Sequence, residues 1–533
     1  MKFKEFFKNF YSDVTDGISR FLVAFVCTVL FFLTISYAIV FDTMSDEIII
    51  PLCMTYALVA VFSVLLKCAQ EYLCQKLKSK AQYILCSISG IIGFILIRAN
   101  YDSLYTIMAY AGIIIAMVCF IFFVLMRGEN RNFAFPRLVT SLIFSAAICG
   151  VLSAGISTCI AAFQLLIFDW NDIYKVYLIL NLFIWVVVYI NIFLSFIPKK
   201  DIPVPQSKIF RAIVLFAGLP LYMLLIAILL IYLAKIVITW NMPVGEINWF
   251  ASFASLFFIF FLLSVMQYTE KAAKLFVKFG GYLLIPVLIM QAIAVFERIN
   301  AYGLTTPRTV SLVLILISIL FIIGSIVIPK HLNKLPLISG IIVLLVTITP
   351  CNIIDMPVAS QTRILKTVLT ENNMLKDNKV VPNPDIDKTD AQKILSAYQY
   401  LKYDAEKVPE FVPNSEQTTL EIFGFTDDYT EERNYTYCNF RTKDSVDISN
   451  YDKMITANDE NNMIKFEHNA VGHNIDLKQI AEDLYAQHGN EKADLELYKI
   501  DKNTALYFDS FDFDIENNEV THCYFYGYVL LKN

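Results

Sequence analysis

The stretch VSLVLILISILFIIGSIVI at residues 310–328 contains no charged side chain. About twenty such residues in a helix, rising about 1.5 Å each, cross the roughly 30 Å hydrocarbon core of a bilayer. A helix is required there because lipid offers nothing to hydrogen-bond an open backbone. Comparable runs recur on either side of it, near residues 21–40, 48–66, 82–97, 105–126, 138–168, 175–197, 210–238, 249–267, 280–299 and 335–354. The pattern predicts a polytopic α-helical membrane protein with about eleven transmembrane helices in residues 20–354.

Composition agrees with this reading: 57% of the 533 residues are hydrophobic, 17% are charged, and the mean hydropathy is +0.57, too apolar for a soluble globular chain. The lipid bilayer is the first partner it implies, and nothing suggests a nucleic acid. The charge is split, at +10 over residues 1–354 and −15 over residues 355–533. Residues 1–19 precede the first run, with Phe3, Phe6, Phe7, Phe10 and Tyr11 at helical spacing beside Lys2, Lys4 and Lys8, as in a helix lying on an anionic membrane face. Residues 355–387 read as a linker, and 388–533 as a separate α+β domain.

Orientation follows from lysine and arginine. The N-terminus and every second loop (67–81, 127–137, 198–211, 268–279, 329–334) hold 20 of them, whereas the intervening loops (41–47, 98–104, 169–175, 239–248, 297–309) hold 4. Positive loops stay in the cytoplasm, so the N-terminus is expected inside and the C-terminal domain outside a plasma membrane. One missed span would invert every later loop and spoil this alternation.

Two helices carry unusual residues. Helix seven is interrupted by Gly218 and Pro220 and bears Lys235 near its far end, followed by Trp240 and a turn at Met242-Pro243-Val244-Gly245. Helix nine contains Gly280, Gly281 and Pro286, and then Gln291, Arg298 and Tyr302 along one face. Gly303 reads as its stop, and Thr306 with Pro307 as the N-cap and first residue of the next helix. In helix five, Ala146, Gly150 and Ala154, with Gly155, suit close approach of another helix.

Pro220-Leu221-Tyr222, Tyr232-x-x-Lys235, Trp240-x-x-Pro243-x-Gly245, Pro286 and Arg298-Ile299-x-x-Tyr302-Gly303-Leu304-Thr305-x-x-Arg308 resemble the signature of a bacterial multi-pass family, catalogued as domain of unknown function four-one-five-three. The resemblance implies an envelope protein and no established activity. The residues themselves suggest a polar, outward-facing ligand site formed by Lys235, Trp240, Glu297, Arg298, Tyr302 and Arg308, suited to an anionic lipid or an envelope partner. A capped hairpin with interfacial charges and a snorkelling Lys235 is the plainer alternative.

The C-terminal region shows amphipathic helices at 391–403 and 475–488 and apolar runs at 419–425, 435–440, 463–466, 495–500, 505–513 and 520–531, the last two joined by Glu516-Asn517-Asn518-Glu519. Asp509, Asp512, Asp514 and Glu516 lack the spacing of a calcium loop. No metal site or cofactor is expected, because no Cys/His spacing, phosphate loop or dinucleotide fingerprint occurs. Cys438 and Cys523 are left open between a disulfide and two thiols, and Asn434-Tyr435-Thr436 matches a glycosylation acceptor.

Three functional classes remain. The favoured one is non-enzymatic binding, sensing or transport. A transferase acting on lipid-linked sugars or phospho groups is the alternative, in which a carboxylate of the first outer loop acts as base or metal ligand; Asp42, Asp46 and Glu47 occupy that loop, and Asp169 and Asp172 the third. A secondary transporter would need matching broken helices in both halves.

Overall fold

The computed structural model describes the chain except residues 1, 45, 74–78, 128–131, 167–171, 201–206, 240–245, 351, 406, 414–421, 425–434, 444–445, 459–461, 469–470, 489–492, 517–518 and 533. Its first helix, α1 (Lys2–Arg20), leads into eleven helices long and apolar enough to span a membrane. These are α2 (Leu22–Phe41), α3 (Ile49–Tyr72), α4 (Ser79–Ala99), α5 (Leu104–Leu125), α6 (Ala134–Leu166), α7 (Ile173–Ser195), α8 (Lys208–Thr239), α9 (Glu246–Val265), α10 (Lys271–Tyr302), α11 (Thr306–Val327) and α12 (Leu335–Ile348), which reaches spanning length, His331–Ile348, with the 3-10 turn before it. We call the end of the bundle where α12 finishes distal, and the end bearing α1 proximal.

Proline explains much of the local geometry. In α8, Pro220 has no N–H for the carbonyl one turn earlier, and the preceding residues Ile213–Gly218 widen into a π-helical turn. Gly218 sits in that turn with Phe261 so close that a Cβ would collide with its ring. A second π segment, Phe183–Val188, interrupts α7, where the Asn191 amide donates to the Val187 carbonyl at 2.7 Å and to Thr28 Oγ at 3.1 Å. Gly280 and Pro286 do not break their helix: α10 runs unbroken for 32 residues. At the end of α12, Thr349 turns extended because Pro350 follows it.

Close packing also departs from expectation. A Cβ on Gly150 or Gly155 would meet nothing within 4 Å, so no described helix comes close at either glycine. The tight crossing lies instead between α5 and α12. Gly112 is covered by Thr347, and Gly340 by Phe120 and Cys119, so the two helices run antiparallel with glycine at each contact.

Two compact units result, one of residues 1–380 with 393–415 and the other of residues 381–392 with 416–533. Residues 355–387, expected as a linker, contain α13 (Asp355–Glu371), closed by left-handed Asn373, with Asn373 N–H on the Thr370 carbonyl at 3.1 Å and Met374 N–H on that of Leu369 at 2.7 Å. A hairpin follows, β1 (Leu375–Lys376) with β2 (Lys379–Val380), whose turn residues Asp377 and Asn378 both have positive φ. Then comes α14 (Lys388–Gln399), which buries Ile394, Leu395 and Tyr398.

The second unit is built on a six-stranded sheet. β3 (Tyr435–Thr442), β4 (Lys453–Asn458), β7 (Ala493–Leu495), β9 (Thr504–Glu516) and β10 (Glu519–Leu531) follow the order β4-β10-β9-β3-β7, and β8 (Tyr498–Lys499) also pairs with β9. All pairs are antiparallel except β3 with β7. β5 (Met463–His468) and β6 (Val471–Asp476) form a separate hairpin that leads into α15 (Leu477–His488). Phe440, Phe508, Phe511, Phe513 and Phe525 cluster with Leu477, Ile480 and Leu484 of that helix. Of the run at 419–425, Ile422 and Phe423 form a helical turn and most of the rest lies outside the described residues, as does Asn434. Cys438 and Cys523 face Phe513 from opposite sides of β9. Two strand spacings, about 10 Å, separate them, well beyond disulfide reach, so they do not form a disulfide with each other.

Candidate functional site

The polar residues of α9, α10 and α11 meet at the distal end of the bundle. Asn248 and Ser252 lie one turn apart on α9, so both face the same neighbours. Between them enters Gln291 of α10, fully buried, whose amide donates to Asn248 Oδ1 and Ser252 Oγ, each at 2.9 Å. The Asn248 amide in turn donates to Ser311 Oγ on α11 at 2.9 Å, and that hydroxyl donates to the Pro307 carbonyl at 2.9 Å. Gln291 Oε1 receives no donor among the described residues.

Beside this ladder lies a cavity of about 630 Å³. Asn248, Ser252, Ser311, Thr305, Thr306, Arg298 and Arg308 supply its polar lining, and Trp249, Phe253, Leu256, Val295, Val310 and Leu314 are among its apolar walls. Both arginines are half-buried. Arg308 donates to the Gly303 carbonyl and lies 5.9 Å from the Tyr302 ring centroid, whereas Arg298 has no ion pair or hydrogen bond among the described residues.

The other expected site residues separate. Tyr302 stands beside Arg308 but outside the cavity lining, and Glu297 is exposed on α10 without an ion pair among the described residues. Lys235 is exposed on α8 and does not line the cavity, although its neighbour Ile236 packs on Met290. Trp240 lies outside the described residues, as does the 242–245 turn. Asp42, Asp46 and Glu47 are exposed, and Asp42 is paired with Lys175 at 2.6 Å. Asp172 begins α7 without a side-chain capping bond, while Asp169 is outside the described residues. No group of three metal-ligating side chains occurs among the described residues.

The loop between α10 and α11 is held from the side of α13. Gly303 closes α10 with φ +74, and its N–H bonds the Ile299 carbonyl at 2.8 Å. A Cβ there would overlap Ile364 of α13. Gln361, buried, donates to the Tyr302 and Leu304 carbonyls at 2.8 and 2.9 Å, and Ser360 Oγ accepts from Leu304 N–H at 3.1 Å. The N-cap of α11 is Thr305 rather than Thr306. Thr306 is spent elsewhere: its hydroxyl donates to the Ile353 carbonyl at 3.0 Å and lies 2.8 Å from Tyr400 Oη. Nearby, Tyr105 donates to Asp355, Lys407 donates to Tyr105, and Lys407 lies 3.5 Å from Asp355 Oδ1. The Tyr105 hydrogen bond holds the Asp355 carboxyl below the ordinary carboxylate range and pushes the Lys407 ammonium above the ordinary lysine value.

Asn248, Ser252 and Ser311 had a sequence signal in hindsight, as hydrogen-bonding residues just inside apolar runs. Gln361, Tyr400 and Lys407 had none, because their partners are distant in the chain.

These features define a multi-pass helical membrane protein with a polar cavity at one end of its bundle and a β-rich unit after it. The chain belongs to the family described as Domain of unknown function (DUF4153), whose profile matches residues 21–386. No curated protein and no solved structure matches it.

Proposed function

We propose that this protein is a non-enzymatic component of a bacterial plasma membrane that binds an anionic ligand in the α9–α11 cavity, on the outer side, as a receptor or carrier. One observation carries the reading: Arg298 and Arg308 line a single cavity in which no carboxylate occurs among the described residues. Two cations at the edge of a low-dielectric bundle attract an anion more strongly than the same charges in water do. The distribution of lysine and arginine supports an outward position for this end. A transferase would need a general base beside the bound group, whereas the acids of the 41–47 loop line no part of this cavity among the described residues.

The full chain in nonionic detergent tests the reading by thermal unfolding with added anions, since a ligand that binds only the folded state raises the melting temperature. Short-chain phosphatidic acid, phosphatidylglycerol or inorganic phosphate is expected to stabilise the wild type, and R298Q/R308Q is expected to abolish the shift. Equal shifts in wild type and double variant would overturn the reading.

A further inference from the structure

We propose that the cavity is filled sideways from the bilayer, and that its ligand is a phospholipid of net negative charge with its head on Arg298 and Arg308 and its chain in the slot between α9 and α11. The inference rests on the anion-binding reading and adds the source and shape of the ligand.

The first argument is the direction in which the cavity opens. Trp249, Phe253 and Leu256 lie on one face of α9 and line the cavity, yet they are 71%, 48% and 51% exposed, and Val310 opposite them on α11 is 48% exposed. All four lie within spanning helices, so the medium they face is lipid. The opposite face of α9 is closed, with Ala251, Ala254 and Phe258 completely buried. The mouth therefore includes a lateral gap between α9 and α11.

The second argument is how polarity is graded with depth. The arginines, Thr305 and Thr306 cluster where α10 ends and α11 begins, whereas Leu256 and Leu314 lie deeper. From Asn248 to Leu256 the lining descends about 12 Å along α9, at about 1.5 Å per residue. A small soluble anion would fill only the upper part and leave an apolar shaft with no occupant. A phospholipid matches both parts, because its phosphate resides at the helix ends and its acyl chain continues downward beside them. The exposed Trp249 ring has the position of an interfacial aromatic at such a mouth.

The experiment uses the full chain in phosphatidylcholine nanodiscs doped with brominated lipid, reading the tryptophan fluorescence lost relative to W249F. Brominated phosphatidylglycerol should quench Trp249 at a mole fraction about tenfold lower than brominated phosphatidylcholine, the size of effect expected from charged hydrogen bonds to the head. R298Q/R308Q should erase the difference, and R298K/R308K should restore part of it. A294F, at an α10 residue that lines the cavity, narrows it and leaves both arginines, and should also erase the difference while leaving stabilisation by inorganic phosphate intact. If the two brominated lipids quench wild type equally while phosphate still stabilises it through the arginines, the lateral lipid site is wrong and anion binding stands. If no anion effect depends on the arginines, both fail.

Discussion

The helix α6 and the trio α9–α11 are alike in sequence, being long, apolar and sprinkled with small residues, yet they are used oppositely. Of the spanning window in α6, 17% is buried, against 50% in that of α9 and 44% in that of α10. Gly150 and Gly155 of α6 face open space, and Leu165 and Leu166 beyond them are each 83% exposed. In the trio, Gly281 of α10 lies against Ser325 and Ile322 of α11, and Gln291 is completely enclosed. Glycine spacing alone does not locate a tight contact in a membrane. A polar side chain inside an apolar run is more informative, since lipid cannot satisfy it and a partner must.

The contrast is tested most severely by valine. Gly303→Val should cost about 3 kcal/mol or more, from a left-handed φ imposed on a β-branched residue and from collision with Ile364, whereas Gly150→Val should change stability by no more than about 0.5 kcal/mol. Thermal unfolding in detergent measures both, and equal losses would erase the distinction. Gln291→Leu should cost about 1–2 kcal/mol by stranding the Asn248 and Ser252 side chains, while Thr158→Val on exposed α6 should be nearly neutral. A silent Gln291 variant would show that the buried ladder adds nothing to stability.

The smallest effect concerns pH. A carboxyl whose folded pKa is depressed stabilises above its ordinary value and loses this as pH falls through the folded one. An ammonium whose folded pKa is raised stabilises below its ordinary value and loses this as pH rises through the folded one. For Asp355 and Lys407 the contribution of the clamp is therefore constant from about pH 4 to about pH 10 and fades outside that window. D355N should remove the acid limb of the stability profile without altering the plateau slope, and a midpoint near neutrality would contradict the assignment.

The number and approximate positions of the spans were legible because hydropathy and length are local properties, although the helix read at 280–299 runs from Lys271 to Tyr302. The arginines of the cavity were legible too, since Arg298 and Arg308 flank a glycine-stopped turn. Lys235 was not resolved, because the register that puts it near a helix end does not fix its azimuth. Ile394, Leu395 and Tyr398 mark a buried face, but an amphipathic pattern cannot name what covers it, and residues 393–415 group with the membrane helices rather than with the sheet. Likewise Pro286 and Pro220 look equivalent on paper. Only Pro220 follows a π-helical turn, and α10 continues through Pro286 without one.

The crossing of α5 with α12 bears on how the molecule is made. Tyr105 and Asp355, joined at the distal end of that crossing, stand 250 residues apart in the chain. At a synthesis rate of roughly 5–20 residues per second, α5 leaves the ribosome on the order of ten to fifty seconds before its partner exists. During that interval its glycine-bearing face must be shielded by lipid, the insertion machinery or a chaperone. A ribosome stalled after α11 would thus yield a bundle with ten of its spans inserted and one seam still open, a state that cellular quality control would have time to recognise.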